Sequence, residues 1–501
     1  MKRVVILLAS VLLLAGCISK PVEPTITPDG TLEAFYSQTL EWSDCGDALE
    51  CSQFLVPIDY SDLGGETISI AINRHRTTSD SERLGAIVIN PGGPGGSGIT
   101  YVEAYASQFT SRLMARYDVV GFDPRGVGKS APVDCTAPKE KDRLYASEST
   151  PDTAAEIKEY EEPFDVSECA AETGKLFNHL STVEVVKDLD ILRALLGEQQ
   201  LNYLGKSYGT QIGAVYASMF PDKVGRFVLD GAVDMQATSL ELSFGQAAGF
   251  EVEFRRFARF CVEEIIDCPL GNSETQLLNK LLTFVDKLDA KPLKTESKRV
   301  LTESHAWMAL IGSMYAPQWT WEWLISSLEA AYYGDGTAML EMADWQAGRL
   351  PDGSYEDNSF DSFAAINCID YPYEPFDRQQ LIADMTKVAP LLGRLFGWME
   401  GGCKDWPAKG ITMPKDVSAA ADSANTILVI GTTFDPATPV QWSKNLTEQL
   451  GNAVYLEFYG DGHTAYVSGS RCIDYRVDRF FIQRELPPAD LVCRPDEFLL
   501  R

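Results

Sequence analysis

Apolar residues recur along this chain in two rhythms. Short continuous runs rich in Val, Ile and Leu occupy 67–72, 85–90, 118–122, 201–205, 226–229, 427–431 and 454–458. Runs of that length predict strands of a parallel sheet covered on both faces. Between them lie stretches with a helical period. Over 182–196, Val183, Val186, Leu189, Leu192, Leu195 and Leu196 fall on one stripe, closed by Gly197. Over 210–220, Ile212, Val215, Tyr216 and Met219 do the same. Strand–helix alternation of this kind predicts an α/β protein with a mostly parallel, doubly wound sheet.

One connection breaks the rhythm. Loops in such sheets ordinarily span a few residues, but almost two hundred residues separate the strand ending near Asp230 from the one opening at Ile427. That stretch has long helical patterns at 244–266 and 322–333. It also holds seven of the nine tryptophans: Trp307, Trp319, Trp321, Trp323, Trp345, Trp398 and Trp406. Residues 235–415 therefore read as an inserted, mainly helical cap, with 45–234 and 416–501 as the two parts of the body. Core packing is the expected role of most of the rings. A chain of 501 residues supports this division, because single cores stop growing near ~250–300 residues.

Charge narrows the partners. With 72 acidic against 43 basic residues, the net charge is −29. Nucleic acid is excluded as a partner, since phosphate binding needs a basic face. The acidity reads as a solvated surface, and no obligate protein partner is implied.

The chain opens with Lys2 and Arg3, followed by an apolar stretch over 4–14 that is too short to span a membrane. Residues 1–16 read as an export signal. Its end, Leu14-Ala15-Gly16-Cys17, resembles the bacterial lipoprotein box, which implies cleavage before Cys17 and lipid attachment to its sulfur. The alternative is an ordinary secretory signal and a secreted protein. On the lipoprotein reading, residues 17–44 are a lipidated cysteine and a flexible tether, rich in Pro, Ser, Thr and Gly over 19–32. Of eleven cysteines, ten remain beyond Cys17, an even number that in an exported chain predicts disulfides. Pairing by proximity along the chain gives Cys45–Cys51, Cys135–Cys169, Cys261–Cys268, Cys368–Cys403 and Cys472–Cys493, one of many possible connectivities. No Cys-x-x-Cys or His-x-x-x-His spacing suggests zinc.

The chemistry concentrates in Gly205-Lys206-Ser207-Tyr208-Gly209, a Gly-x-Ser-x-Gly that follows an apolar strand and opens a helix. Such a turn projects the serine from a strained backbone, and its glycines avoid collisions where it closes. The helix start offers N–H groups to an oxyanion. An attacking serine needs a base, and only four histidines exist: His75, His179, His305 and His463. His463 lies in Gly460-Asp461-Gly462-His463-Thr464, directly after the strand at 454–458, where this fold delivers a base. The order Ser…Asp/Glu…His points to Asp435, in Thr433-Phe434-Asp435-Pro436 after the strand at 427–431, with Asp230 as the competing acid. Thr438 suits a hydrogen bond that fixes the acid's loop. Asn90-Pro91-Gly92-Gly93-Pro94-Gly95-Gly96 follows the strand at 85–90 as an oxyanion loop. Its donors would be the N–H of Gly93 or Gly92, together with that of Tyr208. This chemistry needs no metal and no organic cofactor.

Taken with Asp123-Pro124-Arg125-Gly126-Val127-Gly128, Val228-Leu229-Asp230-Gly231 and Asp435-Pro436-Ala437-Thr438-Pro439, these motifs resemble the exported tripeptidyl aminopeptidase and proline iminopeptidase branch of the α/β-hydrolases. The likeness covers most of 45–490. It implies an α/β-hydrolase fold with a cap, and release of tripeptides or single residues from peptides with free N-termini. Carboxylates in the cap would bind the amine, and Asp370 and Glu374 are the candidates. Lys206 departs from the pattern, which places an aromatic or small residue before the serine. Within the Asp123–Arg125 turn, the two side chains are expected to pair with each other. The rival readings are a carboxylesterase of small acyl esters and an inactive surface binding protein.

Overall fold

A computed structural model describes residues 24, 29–160, 166–408, 410–423 and 425–496. The expected export signal at 1–16 and Cys17 lie outside the described residues. In chain order the strands are β1 (Ser43–Gly46), β2 (Leu49–Pro57), β3 (Thr67–His75), β4 (Gly85–Asn90), β5 (Tyr117–Phe122), β6 (Leu201–Lys206), β7 (Val224–Asp230), β8 (Leu293–Lys294), β9 (Val300–Leu301), β10 (Ile427–Phe434), β11 (Ala453–Asp461) and β12 (Val492–Cys493). Ten of them form one sheet in the order β1-β2-β3-β5-β4-β6-β7-β10-β11-β12, while β8 and β9 form a separate hairpin. From β5 through β12 every pairing in the large sheet is parallel. The β1, β2, β3 edge is antiparallel and joins β5 antiparallel.

Each of the seven apolar runs is a strand, and the alternation of side chains explains why both faces had to be apolar. Val88, Val120, Tyr203, Leu229 and Val429 pack on one face, against Val186, Leu189 and Leu192 of the helix Thr182–Leu195 and Ile212 and Val215 of Tyr208–Met219. Their neighbours Ile87, Val119, Leu204, Val228 and Ile430 point the other way, against Val102 of Gly98–Tyr105 and Val477 and Phe481 of Arg471–Gln483. The sheet is doubly wound, as the α/β expectation required.

The antiparallel edge shortens the expected tether. Leu32–Tyr36 is helical, Phe35 is buried in the body's core, and the Tyr36 hydroxyl donates to Asp190 at 2.6 Å. Aromatic residues beyond 32 thus find apolar ground on the sheet's flank, and the folded body begins well before residue 45. The Asp123–Arg125 pairing is also corrected. Fully buried Arg125 forks onto Asp188 of the helix Thr182–Leu195, with Nε and Nη2 at 2.7 and 2.6 Å. Asp123 instead accepts from Ser97 Oγ and from the amides of Ile99 and Lys129. The Asp123 carboxylate is taken up by Lys129 of its own turn and by the start of the helix Gly98–Tyr105, so the guanidinium looks elsewhere.

Between β7 and β10 the chain is mainly helical, with Ser239–Glu264, Glu274–Ala290, Glu303–Tyr315, Trp321–Tyr332, Ser359–Asp370 and further helices. Much of it has its own apolar cluster, built around Phe254, Phe257, Leu310 and Trp321. Ser359–Asp370 behaves differently, placing Ala365, Ile366 and Ile369 in the body's core. Trp307, Trp321 and Trp398 are buried, whereas Trp319, Trp323 and Trp345 are exposed. The helices Pro138–Ala146 and Ser167–Thr173, between β5 and β6, were not apparent in the apolar pattern. All five disulfides pair as expected from chain proximity, which marks a chain that matures in an oxidising compartment. Among the described residues, no helix is long and apolar enough to cross a membrane.

Candidate active site

Parallel strands present all their C-terminal ends at one edge, and adjacent β6, β7, β10 and β11 deliver the candidate residues there. Ser207 follows β6 with φ +54° and ψ −125°, a conformation costly for a residue with a side chain. Both glycines of the turn are required by contact. A Cβ on Gly205 would meet the Gly209 carbonyl oxygen at 2.3 Å, and one on Gly209 would meet the Asn90 oxygen at 2.6 Å. The strain is held in place by the Ser207 N–H, which donates to the Asp230 carbonyl at 3.0 Å.

After β10, Asp435 is buried and its carboxylate is saturated. It accepts from the amides of Ala437 (3.0 Å), Thr438 (2.8 Å) and Thr464 (3.1 Å), and from Thr438 Oγ1 (2.9 Å). His463 Nδ1 completes the shell at 2.9 and 3.0 Å from the two carboxylate oxygens. A carboxylate engaged by so many donors only accepts, so Nδ1 carries the proton and Nε2 keeps a free lone pair. The other histidines are committed elsewhere. His75 Nδ1 meets the Arg76 carbonyl, His179 meets Glu184, and His305 meets Thr302. Asp230, the competing acid, gives its carboxylate to the amides of Ala465 and Tyr466.

The Gly-rich loop after β4 lies directly against the elbow. A Cβ on Gly92 would come within 2.6 Å of the Lys206 oxygen and 2.8 Å of Ser207 Cβ. The Gly92 N–H is taken, however, by Asn90 Oδ1 at 3.0 Å. On the far side of the elbow, the Tyr208 hydroxyl shares a 2.6 Å hydrogen bond with Thr182 Oγ1. Thr182 donates both its amide and, at 2.6 Å, its hydroxyl to Asp370. Asp370 is therefore no surface acid. It is buried, and burial pushes its carboxyl up to about 7 against the pull of the Thr182 hydrogen bonds. Glu374 is half-buried on the loop that follows the helix Ser359–Asp370.

The insertion touches the reactive loops more closely than its sequence suggested. One face of Ser239–Glu264 crosses both. Gln246 Nε2 donates to the Ala437 carbonyl at 3.0 Å, and a Cβ on Gly249 would strike the Pro436 oxygen at 2.6 Å. Glu253 accepts the Gly462 N–H at 3.0 Å, and Arg256 pairs with Asp461. These four positions lie three or four residues apart, on one helical face. Glu253 is fully buried and burial drives its carboxyl well above the ordinary range, with Asp461 adding to the shift. At the end of Glu303–Tyr315, the Tyr315 carbonyl accepts the His463 N–H at 2.9 Å, and its ring meets the imidazole edge-to-face at 5.3 Å. Recurrence of polar residues at helical spacing was the one signal in the sequence that marked the Gln246–Arg256 face. Among the described residues, no cluster of histidine, cysteine and carboxylates is arranged to hold a metal.

The alpha/beta hydrolase fold family matches residues 85–470. The chain is 35% identical to serine protease Hip1 of Mycobacterium tuberculosis, over 97% of this chain and 96% of that protein. It is 34% identical to carboxylesterase B of the same organism, over 96% and 93%. It is 28% identical to tripeptidyl aminopeptidase of Streptomyces coelicolor, over 91% and 86%. A strained serine after β6 and a carboxylate-held imidazole after β11, at one edge of the sheet, accompany a match of that extent, and the chain belongs to the alpha/beta hydrolase family as a serine hydrolase.

Proposed function

We propose that this serine hydrolase is an exported aminopeptidase that releases tripeptides or single residues from peptide N-termini through an acyl-enzyme on Ser207. The observation that carries the reading is the His463–Asp435 contact, at the edge where the elbow projects its serine. His463 Nε2 takes the Ser207 proton as the hydroxyl attacks the scissile carbonyl, and Asp435 stabilises the imidazolium that forms. The oxyanion accepts from the Tyr208 and Gly93 amides; Gly93 is favoured over Gly92, whose N–H is already bound to Asn90. His463 then gives the proton to the leaving amine, and water repeats the cycle on the ester.

Kinship with a tripeptidyl aminopeptidase and with serine protease Hip1 favours a peptide substrate. The helical insertion acts as a cap that admits a free N-terminus, and of the two candidate carboxylates Glu374 is left for the amine, because Asp370 is buried and committed to Thr182. Kinship with carboxylesterase B favours a second reading, hydrolysis of small acyl esters. Free and N-acetylated tripeptide anilides, compared with p-nitrophenyl esters, separate the two. Turnover confined to the free peptides supports the aminopeptidase, and turnover confined to esters rejects it. Ser207→Ala should abolish labelling by a fluorophosphonate probe, and labelling that persists would move the nucleophile elsewhere. Cys17 would carry the lipid that holds the enzyme on the outer side of a bacterial membrane. Cys17→Ala should release it into the medium, and retention on the membrane rejects the anchor.

A further inference from the structure

Two fully enclosed side chains beside the elbow have no part in acyl transfer. Lys206 precedes the serine and is 7% exposed; Asp230 ends β7 and is 0% exposed. Lys206 Nζ donates to the Tyr466 carbonyl at 2.8 Å and reaches Thr464 Oγ1 at 3.4 Å. The Asp230 carboxylate accepts the N–H groups of Ala465 at 3.0 Å and Tyr466 at 2.9 Å. The main chain of the same residue takes the Ser207 N–H at 3.0 Å. Between these grips lies Gly231, at φ +68°, where a Cβ would meet Thr464 Cγ2 at 2.9 Å and Thr438 Oγ1 at 3.0 Å.

Residues 464–466 directly follow His463, so the two strand ends that frame the serine also hold the loop that carries the imidazole. That loop needs holding. Thr464 and Val467 sit at φ +67° and +56°, a region β-branched residues avoid unless their surroundings over-determine it. Hydrogen bonds to ionised groups in an enclosed site are the stronger kind. Burial pushes the Asp230 carboxyl up, and Lys206 works against that rise, as Asp230 in turn favours the charged Lys206.

We propose that Lys206 and Asp230 are positioning residues that set the separation between the Ser207 hydroxyl and the His463 imidazole. The inference rests on the reading of those two residues as nucleophile and base. It also accounts for the departure at Lys206, whose side chain serves the histidine loop and not acyl recognition.

The test compares wild type with Lys206→Met, Asp230→Asn and the double variant, in the full-length protein. The readouts are the acylation rate with a fluorophosphonate, and kcat, KM and the pH profile with a p-nitrophenyl ester. Misplacing a base by about 1 Å costs on the order of 100-fold. Each folded single variant is expected to acylate about 100-fold more slowly, with KM changed less than about threefold. The acidic limb of the profile should move up in pH for Lys206→Met and down for Asp230→Asn, as loss of a cation and of an anion near the imidazole dictates. The other titratable and charged groups that face the loop or Lys206 are Asp435, Asp461, Glu253, Arg256, Asp474, Asp478 and Tyr101, and none is altered. Wild-type acylation rates in folded variants, or limbs that move in the same direction, overturn the proposal. If the single variants do not fold, the double variant, which removes both buried charges, is expected to fold and acylate slowly; folding with a wild-type rate overturns it. If none folds, hydrogen exchange on the wild type decides. The Ala465 and Tyr466 amides should be as protected as those of β6, and rapid exchange overturns the grip. Failure of the triad itself reads differently, as activity surviving in His463→Ala.

Discussion

The strand ends of the body and the helices of the insertion meet along one line, and they are built from different materials. On the body side the fit is made by backbone and by missing side chains. Gly205 and Gly209 let the elbow close, Gly92 lets the oxyanion loop lie against it, and Gly231 leaves room for Thr438 and Thr464. On the insertion side, apart from Gly249 and the Tyr315 carbonyl, the fit is made by polar side chains. Gln246, Glu253 and Arg256 reach down onto the acid and base loops, and Asp370 reaches Thr182 beneath Tyr208. Backbone fits tolerate almost no substitution, whereas side-chain contacts can be exchanged while the fold survives. The body's close backbone fits therefore leave little room for change at the strand ends, while the insertion's side-chain contacts onto them can be varied one at a time.

That contrast is broken most directly at Asp435. Asp435→Asn keeps the shape but offers the wrong partner to Nδ1–H, and kcat is expected to fall by about 10⁴-fold with little change in KM. Steady-state kinetics on any accepted substrate checks this, and a loss under tenfold would remove Asp435 from the acid's place. Next comes a body glycine. Gly209→Ala places a methyl group 2.6 Å from the Asn90 oxygen, and overpacking of this kind costs about 1–3 kcal/mol. Chemical denaturation should show that loss together with greatly slowed fluorophosphonate labelling.

On the insertion side smaller effects are expected. Glu253→Leu removes the acceptor for the Gly462 N–H and should lower kcat about tenfold. Glu253→Gln keeps an acceptor oxygen and should remain close to wild type, because the buried carboxyl is already held toward its neutral form. Equal losses in both variants would mean that its charge, and not the hydrogen bond, is what counts.

The smallest effect is one of pH. The folded protein holds the Asp370 carboxyl up to about 7, while an unfolded chain releases that proton near 3.9. Between those values the folded state binds more protons, so this group's contribution to stability is full at low pH and is lost as pH rises through about 7. Asp370→Asn should remove that part of the slope. Melting temperatures of the two proteins across pH 4–8 give the difference, and parallel curves would show that the group titrates normally.

Much of this body was legible because its strands are apolar on both faces and its reactive residues sit in short, local motifs. Ser207, Asp435 and His463 each follow a strand that announces itself, and glycines mark the turns. The flank was harder to read. β2 carries Cys51, Ser52 and Gln53 within it: Cys51 and Gln53 lie on its wetter face and Ser52 interrupts the buried one, so the run did not register as apolar. The Asp123–Arg125 pairing failed because nearness in sequence was taken for nearness in space. Asp188, one turn into a helix from a different part of the chain, presents a better fork. Tyr315, Glu253 and Thr182 were invisible for a related reason: a helical period shows that a face exists and does not show what lies opposite.

Asp230 also has a consequence for the order in which the molecule is made. Its main chain braces the serine as soon as β6 and β7 pair, but its carboxylate stays unoccupied until the last part of the chain arrives with residues 465 and 466. A ribosome releases the nucleophile long before it releases the groups that activate it. On the reading of Ser207, Asp435 and His463 as the reacting groups, fragments ending before β10 would hold an alcohol with no base beside it.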